Sequence, residues 1–232
     1  MFSLFRRTAV EVAESSLKAL NMDGLRGWQK ELPMATLTTP KDLEQWAIGS
    51  DKDIGGFSEA SLDLTPHGTA RFHGHISLDL PVNQEIKQSG YAAIRTIPRA
   101  QTFFGTPCWD TSLFRYLALH VKGDKRKYFV NIQTDGVVKT DLFQHRLFLR
   151  TPGEWETVMI PFKDFILTNN GMIQDDQIEM FRQKVKTVGI SLMDRQEGPF
   201  EIEIDCIKAI NTEFTEGDMD RVPTPSSSSE KA

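Results

Sequence analysis

The sequence predicts an all-β protein whose strands form a two-sheet jelly roll. Three observations support this prediction. Segments of strand length, with alternating apolar and polar residues, recur through most of the chain and are separated by turn residues. One internal stretch alone has helical spacing of its apolar residues. No fixed-period repeat is visible, which argues against a propeller.

Composition sets further limits. The 232 residues suit one domain with extensions, and a net charge of −5 argues against a general nucleic-acid binder. No apolar run approaches the ~20 residues that cross a bilayer. Cys108 and Cys206 cannot form a four-ligand zinc site, and free thiols in a reducing compartment are the simpler interpretation. We therefore expect no nucleic-acid partner.

Residues 1–39 are interpreted as an N-terminal helix and a linker. The first twenty residues mix apolar and basic side chains in the manner of an amphipathic helix. Three interpretations remain open: a targeting segment, a helix that docks on a partner or a membrane, and a helix packed on its own domain. The candidate contact residues of the second interpretation are Phe5, Arg6 and Arg7.

Residues 40–213 are assigned to the jelly-roll domain. At its start, Thr38 or Thr39 is placed to cap a short helical turn with Pro40 at the first position. At its end, residues 214–232 form an acidic, Ser-rich tail. Such a tail buries too little apolar surface to offset its ordering entropy, so we expect it to be disordered.

The clearest strand is RFHGHISLDLP, in which alternate residues are apolar: Phe72, Gly74, Ile76, Leu78 and Leu80. The segment SGYAAIRTI follows as a second strand. RYLALHVKGDKRKYFVNIQTDG is interpreted as a hairpin that turns at Gly123 and Asp124. Further strands are predicted in VVKTDLFQHRLFL, EWETVMIP, VKTVGISLMD and GPFEIEIDCIKAI.

Two details concern residues 155–185. Pro161 ends a strand because it cannot donate to a sheet. Phe162 and Phe165 should then fold under the sheet, with Trp155 as a core anchor at the start of that strand. Farther on, DDQIEMFRQKV is predicted to be helical because Ile178, Phe181 and Val185 recur at spacings of three and four.

Two segments suggest a metal site. His73 and His75 share a strand face, and Asp79 farther along could complete a cupin-like site. The carboxylate is Asp and no later His motif is recognisable, so two surface histidines on the solvent side of the strand are the favoured interpretation. Asp51 and Asp53 suggest calcium, but the required fifth and twelfth loop positions hold Gly55 and Leu62. We interpret that segment as a loop entering a strand.

Catalytic patterns are weak. No GxSxG elbow occurs. The acids Glu201, Glu203 and Asp205 share one strand face, which is more often a solvated face than a glycosidase pair.

A binding face is better supported. Asn131 and Gln133 lie opposite the apolar set of their strand, and Arg95 and His120 are expected nearby on paired strands. Planar amides and a guanidinium suit sugars or a protein partner, while an ordinary hydrated face remains the alternative.

Four segments, in this order and spacing, carry a family resemblance: W…GSDKDIGGFSEASL, FHGHISLDLP…SGYAAIRT, RYLALHVKGDKRKYFVNIQTDG and GEWETVMIPFKDF…VKTVGISLMDRQEGPFEIEIDCIKAI. Over roughly residues 40–212 the chain resembles the complex I intermediate-associated protein 30 family. The resemblance implies a galactose-binding-like jelly roll, similar to some carbohydrate-binding modules.

The resemblance also implies a function. Members of this family are non-enzymatic assembly factors of mitochondrial respiratory complex I. They bind membrane-arm intermediates on the matrix side of the inner membrane and leave before the enzyme is complete. The family has no catalytic or cofactor residues to carry over, so the expectation of no cofactor comes from this resemblance. The alternatives are a carbohydrate-binding module that uses the same sheet face and, with less support, a cupin-like metal enzyme.

Overall fold

The computed structural model describes residues 2–20, 30–81 and 89–212. Two helices and two antiparallel sheets account for the regular structure of these residues. The helices are α1 (Phe2–Leu20) and α2 (Pro40–Leu43). The strands are β1 (Glu31–Thr36), β2 (Trp46–Ser50), β3 (Glu59–Leu64), β4 (Ala70–Ile76), β5 (Ala92–Thr96), β6 (Tyr116–Gly123), β7 (Tyr128–Thr134), β8 (Asp141–Arg146), β9 (Glu156–Pro161), β10 (Ile166–Asn169), β11 (Met172–Ile173), β12 (Val185–Leu192) and β13 (Gly198–Ile210).

The strands divide into a six-stranded and a seven-stranded sheet. The six-stranded sheet has the order β3-β4-β13-β6-β9, and β1 pairs with the second half of β13. The seven-stranded sheet has the order β11-β10-β8-β7-β12-β5-β2. The predicted all-β sandwich with an N-terminal helix is confirmed. The predicted disordered tail, residues 214–232, lies outside the described residues.

The core lies between the two sheets and follows the predicted period of two. Phe72 and Ile76 of β4 are buried, and so are Tyr128, Val130 and Ile132 of β7. Burial of each such side chain is worth about 1.5–3 kcal/mol. The alternation predicted for RFHGHISLDLP holds only to Ile76, because β4 ends there. The later apolar positions are therefore exposed: Leu78 and Leu80.

The predicted hairpin between β6 and β7 is wrong. Both strands exist, but β6 belongs to the six-stranded sheet and β7 to the seven-stranded sheet. The connecting loop is held at the sandwich end by Arg126, which binds the Asp194 carboxylate with two hydrogen bonds of 2.8 Å. Arg126 also donates to the carbonyl of Pro199 at 2.8 Å. The turn residues Gly123 and Asp124 thus start a crossover between sheets.

The predicted helix in residues 175–185 is also wrong. A 3-10 turn over Arg182–Lys184 is the helical part of this segment, and Ile178 and Phe181 are exposed. Side-chain hydrogen bonds replace helical ones. The Gln177 amide accepts from the backbone N–H of Leu167 at 2.7 Å and donates to its carbonyl at 3.0 Å, which ties the segment to β10.

The strand exit at Pro161 is as predicted. Phe162 and Phe165 are buried with their rings stacked at 6.4 Å. Trp155, predicted to be a core anchor, is instead 39% exposed, and its ring lies 5.0 Å from that of His120 on the sheet surface. Trp155 precedes the strand, so strand parity does not direct it inward.

The segment before the sandwich is partly structured. Residues 31–36, which the sequence assigns to the linker, form β1 and pair with β13. Thr39 caps α2 as predicted: its hydroxyl accepts from the Asp42 N–H, and the Asp42 carboxylate accepts from the Thr39 N–H. This reciprocal arrangement is a capping box.

Candidate functional site

The outer face of the seven-stranded sheet is the candidate binding face. It carries Asn131 and Gln133, whose neighbours Val130 and Ile132 point into the core. The strand register places Gly189 of β12 between Arg95 of β5 and Asn131 of β7. Three of the four predicted sheet residues therefore share this face: Arg95, Asn131 and Gln133.

A row of hydrogen-bonded polar side chains crosses this face. The Gln144 amide donates to the Asn131 side-chain oxygen at 2.7 Å. Asn131 in turn donates to the Ser191 hydroxyl at 2.9 Å. Gln133 donates to the backbone carbonyl of Lys139 at 2.6 Å. Because each amide is held by its neighbour, the row presents fixed donors and acceptors to a ligand.

Arg95 is an exposed cation beside this row. No carboxylate of the described residues forms a salt bridge with it, so its guanidinium is open to an acidic or carbonyl group of a ligand. Gly189 has no side chain, so the sheet surface is recessed beside Arg95. A Cβ at Gly189 would lie 2.3 Å from the Ile94 carbonyl oxygen and 2.9 Å from the Arg95 Cβ.

His120 does not belong to this face. Its strand, β6, lies in the six-stranded sheet, where the imidazole Nδ1 is 3.0 Å from the Asp205 carboxylate. The prediction that His120 lies near Asn131 and Gln133 on a paired strand is therefore wrong. His120 and Arg95 lie on opposite sides of the sandwich because the β6–β7 loop crosses between sheets.

The acids of β13 form cross-strand pairs on the outer face of the six-stranded sheet. Glu203 binds Lys122 at 2.9 Å, and Asp205 contacts His120. Glu201 lies 4.0 Å from Arg71. This pairing agrees with the interpretation of the three acids as a solvated strand face.

The histidines of the cupin-like hypothesis do not converge on a metal site. His73 contacts Asp63 at 2.7 Å, and Asp79 lies beyond the end of β4. Across the part of the chain that the structure describes, no group of three or more His, Cys, Asp or Glu residues is placed to hold a metal.

Asp51, one of the two acids that suggested a calcium site, has a structural role. It is fully buried and accepts hydrogen bonds from the Ser58 N–H and hydroxyl at 2.8 Å each and from the Gly90 N–H at 2.6 Å. Gly56 passes so close that a Cβ there would lie 2.5 Å from the Asp51 Cγ. The carboxylate joins three loop segments at the sandwich end.

The N-terminal helix contacts the sandwich through an aromatic pair and a hydrogen bond. The rings of Phe5 and Phe103 are 4.9 Å apart, and the Phe103 N–H donates to the Thr8 hydroxyl at 3.0 Å. Arg6 and Arg7 remain exposed. Within the described ranges, no helix is long and apolar enough to cross a membrane.

Sequence reasoning missed several members of the binding face: Gln144, Gly189 and Ser191. Their parity could be read from their strands, but their position beside Asn131 depends on strand order. The amide side chain of Gln144 in an alternating segment was the one available signal.

The comparisons with solved structures define the class of the protein. The fold is similar to that of a family 11 carbohydrate-binding module from Clostridium thermocellum, with a TM-score of 0.53, 17% sequence identity, and coverage of 78% of this chain and 95% of that one. At this identity the likeness establishes the fold alone. The fold is therefore a jelly-roll sandwich like that of this carbohydrate-binding module.

The sequence comparisons then place the chain in its family. It belongs to the complex I intermediate-associated protein 30 family, whose model matches residues 35–204. The Neurospora crassa protein of that name is 38% identical, covering 90% of this chain and 84% of the relative. The Drosophila melanogaster protein is 30% identical, with coverage of 85% and 77%. The Mus musculus protein is 37% identical, and this chain covers 52% of its length. The predicted family is confirmed.

Proposed function

We propose that this protein is a non-enzymatic assembly factor of mitochondrial respiratory complex I. It binds a membrane-arm intermediate on the matrix side and is absent from the finished enzyme. Family membership carries the proposal: the three relatives are named complex I intermediate-associated protein 30, mitochondrial. The physical task is to cover surface that a later subunit will bury, because exposed apolar patches on intermediates promote aggregation.

The binding face suits this task. Its amides are fixed by one another, so partner binding costs little side-chain entropy there. Arg95 adds one cation that described residues leave without a salt bridge. We propose Arg95, Asn131 and Gln133 as partner contacts. His120 lies on the other sheet, paired with Asp205, and is not part of this proposed contact.

A peripheral contact with the inner membrane completes the proposal. Arg6 and Arg7 are exposed on α1, and Phe5 and Phe103 form a partly exposed aromatic pair beside them. Phe104, the next residue, is 78% exposed. Basic residues beside exposed aromatic rings favour an anionic bilayer surface.

The first experiment is affinity purification of the tagged protein from detergent-solubilised mitochondria, followed by a native gel and mass spectrometry. We expect membrane-arm subunits of complex I in a sub-complex that lacks the finished enzyme. Recovery of no complex I subunit would contradict the proposal, and recovery with the complete enzyme would contradict the transient role.

A second experiment tests the membrane contact. The variant Arg6→Glu/Arg7→Glu should float at least tenfold less with vesicles that contain anionic lipid than the unmodified protein does. Lys41→Glu, a charge reversal at an exposed position in α2, is the control and should float normally. Equal flotation of all three proteins would remove the membrane contact and leave the proposed assembly role in place.

The alternative of a carbohydrate-binding module has one observation in its favour, the amide row on a sheet face of this fold type. Exposed aromatic rings on the same face are the feature that would distinguish a sugar-binding groove. On β7, the aromatic side chain with outward parity is Phe129, and it is half-buried. A glycan array without signal would count against this alternative.

A further inference from the structure

The free edge of β2 is the feature that carries a further inference. We propose that an extended segment of a partner protein adds to this edge as a further strand of the seven-stranded sheet, with an acidic residue held by Arg99. The inference rests on the proposed function, because it describes how the assembly intermediate is bound. Three observations support it: the composition of the edge strands, the direction of the backbone N–H and C=O groups of β2, and the two clefts that lie along β2.

Edge strands invite pairing with other chains, and proteins protect them with charges, proline or short length. Within the described ranges, four of the five edge strands are protected in this way. β11 is two residues long. The other three carry acids or proline: Glu31 and Pro33 in β1, Glu59 and Asp63 in β3, and Glu156 and Pro161 in β9. β2, with the sequence WAIGS, has neither.

The backbone direction of β2 follows from its pairing with β5. The Ile97 N–H donates to the Gln45 carbonyl at 2.7 Å, and the Asp51 N–H donates to the Tyr91 carbonyl at 3.2 Å. In an antiparallel pair these groups alternate, so the odd-numbered residues face β5. The N–H and C=O groups of Trp46 and Ile48 therefore face the other edge. No strand of the described residues pairs with that edge.

Two clefts lie along β2. One, of about 250 Å³, is lined by residues of β1, by Trp46 and by Trp109. The other lies beside the end of β2 and the start of β3. Ile48, which lines the second cleft, pairs with the buried Ile94, so both side chains lie on the inner side of the sheet. Ile48 is nevertheless 47% exposed, and an added strand would cover it.

The charge beside β2 indicates the chemistry of the partner segment. Arg99 lies in the first cleft with its guanidinium 4.9 Å from the centre of the Trp109 ring. No described carboxylate forms a salt bridge with it. Asp42 lines the same cleft, but its carboxylate accepts from the N–H groups of Thr38 and Thr39. An acidic residue on the added strand would neutralise Arg99.

Hydrogen exchange at single-amide resolution tests the proposal, because neighbouring residues of one strand serve as controls. The tagged protein purified with its bound complex I sub-complex is compared with the free protein. We expect the amides of Trp46 and Ile48 to exchange quickly in the free protein and at least tenfold more slowly in the complex. Ala47 and Gly49, which bond to β5, should exchange slowly in both samples.

Three results would overturn the proposal. Trp46 and Ile48 could exchange quickly in the complex as well, which leaves the assembly role intact. They could instead be protected from exchange in the free protein. Protection at all concentrations would mean that another segment of this chain covers the edge, and protection only at high concentration would mean that a second copy covers it. Recovery of no complex I subunit would overturn the proposed function and this inference together.

Variants at the edge provide a second test. Ile48→Pro removes the edge N–H and leaves the hydrogen bonds to β5 in place, so the fold should persist. We expect at least tenfold less sub-complex to be retained. Ile48→Thr keeps the N–H and a β-branched side chain and should retain it normally. Arg99→Glu changes a surface residue and should reduce retention of the sub-complex, so it provides a test even if Ile48→Pro fails to fold. Normal retention of the sub-complex by Arg99→Glu would contradict the role given to the acidic residue.

Discussion

The outer faces of the two sheets use their polar groups differently. On the six-stranded sheet, charged residues of neighbouring strands bind one another, as Lys122 and Glu203 do at 2.9 Å. On the seven-stranded sheet, the central row consists of neutral amides and a hydroxyl, and Arg95 lies beside it without a described carboxylate partner. The first face is electrostatically satisfied by its own residues, and the second retains capacity for a ligand.

The difference between the two faces depends on how much an ion pair contributes to the free energy of unfolding. The buried pair Arg126–Asp194 gives the upper limit of that contribution. Their side chains are 10% and 0% exposed. Asp194→Asn leaves the guanidinium without its counter-charge, and we expect a loss of about 3 kcal/mol in the free energy of unfolding. Urea denaturation measures it. Asp175→Asn, at an exposed position, should change stability by less than about 0.5 kcal/mol.

The same pair predicts a pH dependence. Burial acts to raise the pKa of Asp194, but the hydrogen bonds and charge of Arg126 outweigh it and hold that pKa below its usual range. A pKa lowered by folding contributes stability that is complete above the unfolded value, about 3.9, and is lost as the pH falls toward the folded pKa. Asp194→Asn should therefore flatten the acid limb of the stability curve. An unchanged acid limb would contradict this assignment.

Arg95 is the residue of the binding face whose removal should weaken partner binding most. Arg95→Ala removes an exposed side chain that forms no salt bridge with the described residues, so the melting temperature should change by less than about 2 °C. Retention of the complex I sub-complex should fall about tenfold, which corresponds to about 1.4 kcal/mol. Arg71→Ala, on the opposite sheet, is the control and should retain the sub-complex. Equal retention by both variants would remove the functional distinction between the faces.

The sequence predicted which way side chains point and failed to predict which strands are neighbours. Parity has a fixed period of two, so the outward positions of Asn131 and Gln133 followed directly. Pairing depends on long-range packing. The loop after Gly123 has the composition of a hairpin turn, yet Arg126 is held by an acid about seventy residues away in sequence. That one crossover moved His120 to the opposite face.

The same distinction applies to the missed residues. Gly189 has no side chain to suggest a role, and its importance arises from the close approach of β5. The sequence also could not predict that β2 is an edge strand, because that depends on which strands pair with it and not on its own residues. The segment WAIGS is apolar enough to suit a central strand, and its position at the edge emerged only from the sheet order.

The smallest predicted effect is at the partly exposed pair Lys122–Glu203, whose side chains are 37% and 13% exposed. Lys122→Ala should reduce the free energy of unfolding by about 0.5 kcal/mol, because water and salt screen the pair and Glu203 keeps a hydrogen bond from Thr69 at 3.2 Å. A double-mutant cycle with Glu203→Gln, measured in urea at low and high salt, gives the coupling between the two side chains. Lys122→Ala should also retain the complex I sub-complex, unlike Arg95→Ala. A coupling above about 2 kcal/mol would place this partly exposed pair in the range of the buried one. Loss of the sub-complex would instead mean that the paired charges of the six-stranded sheet also contact the partner.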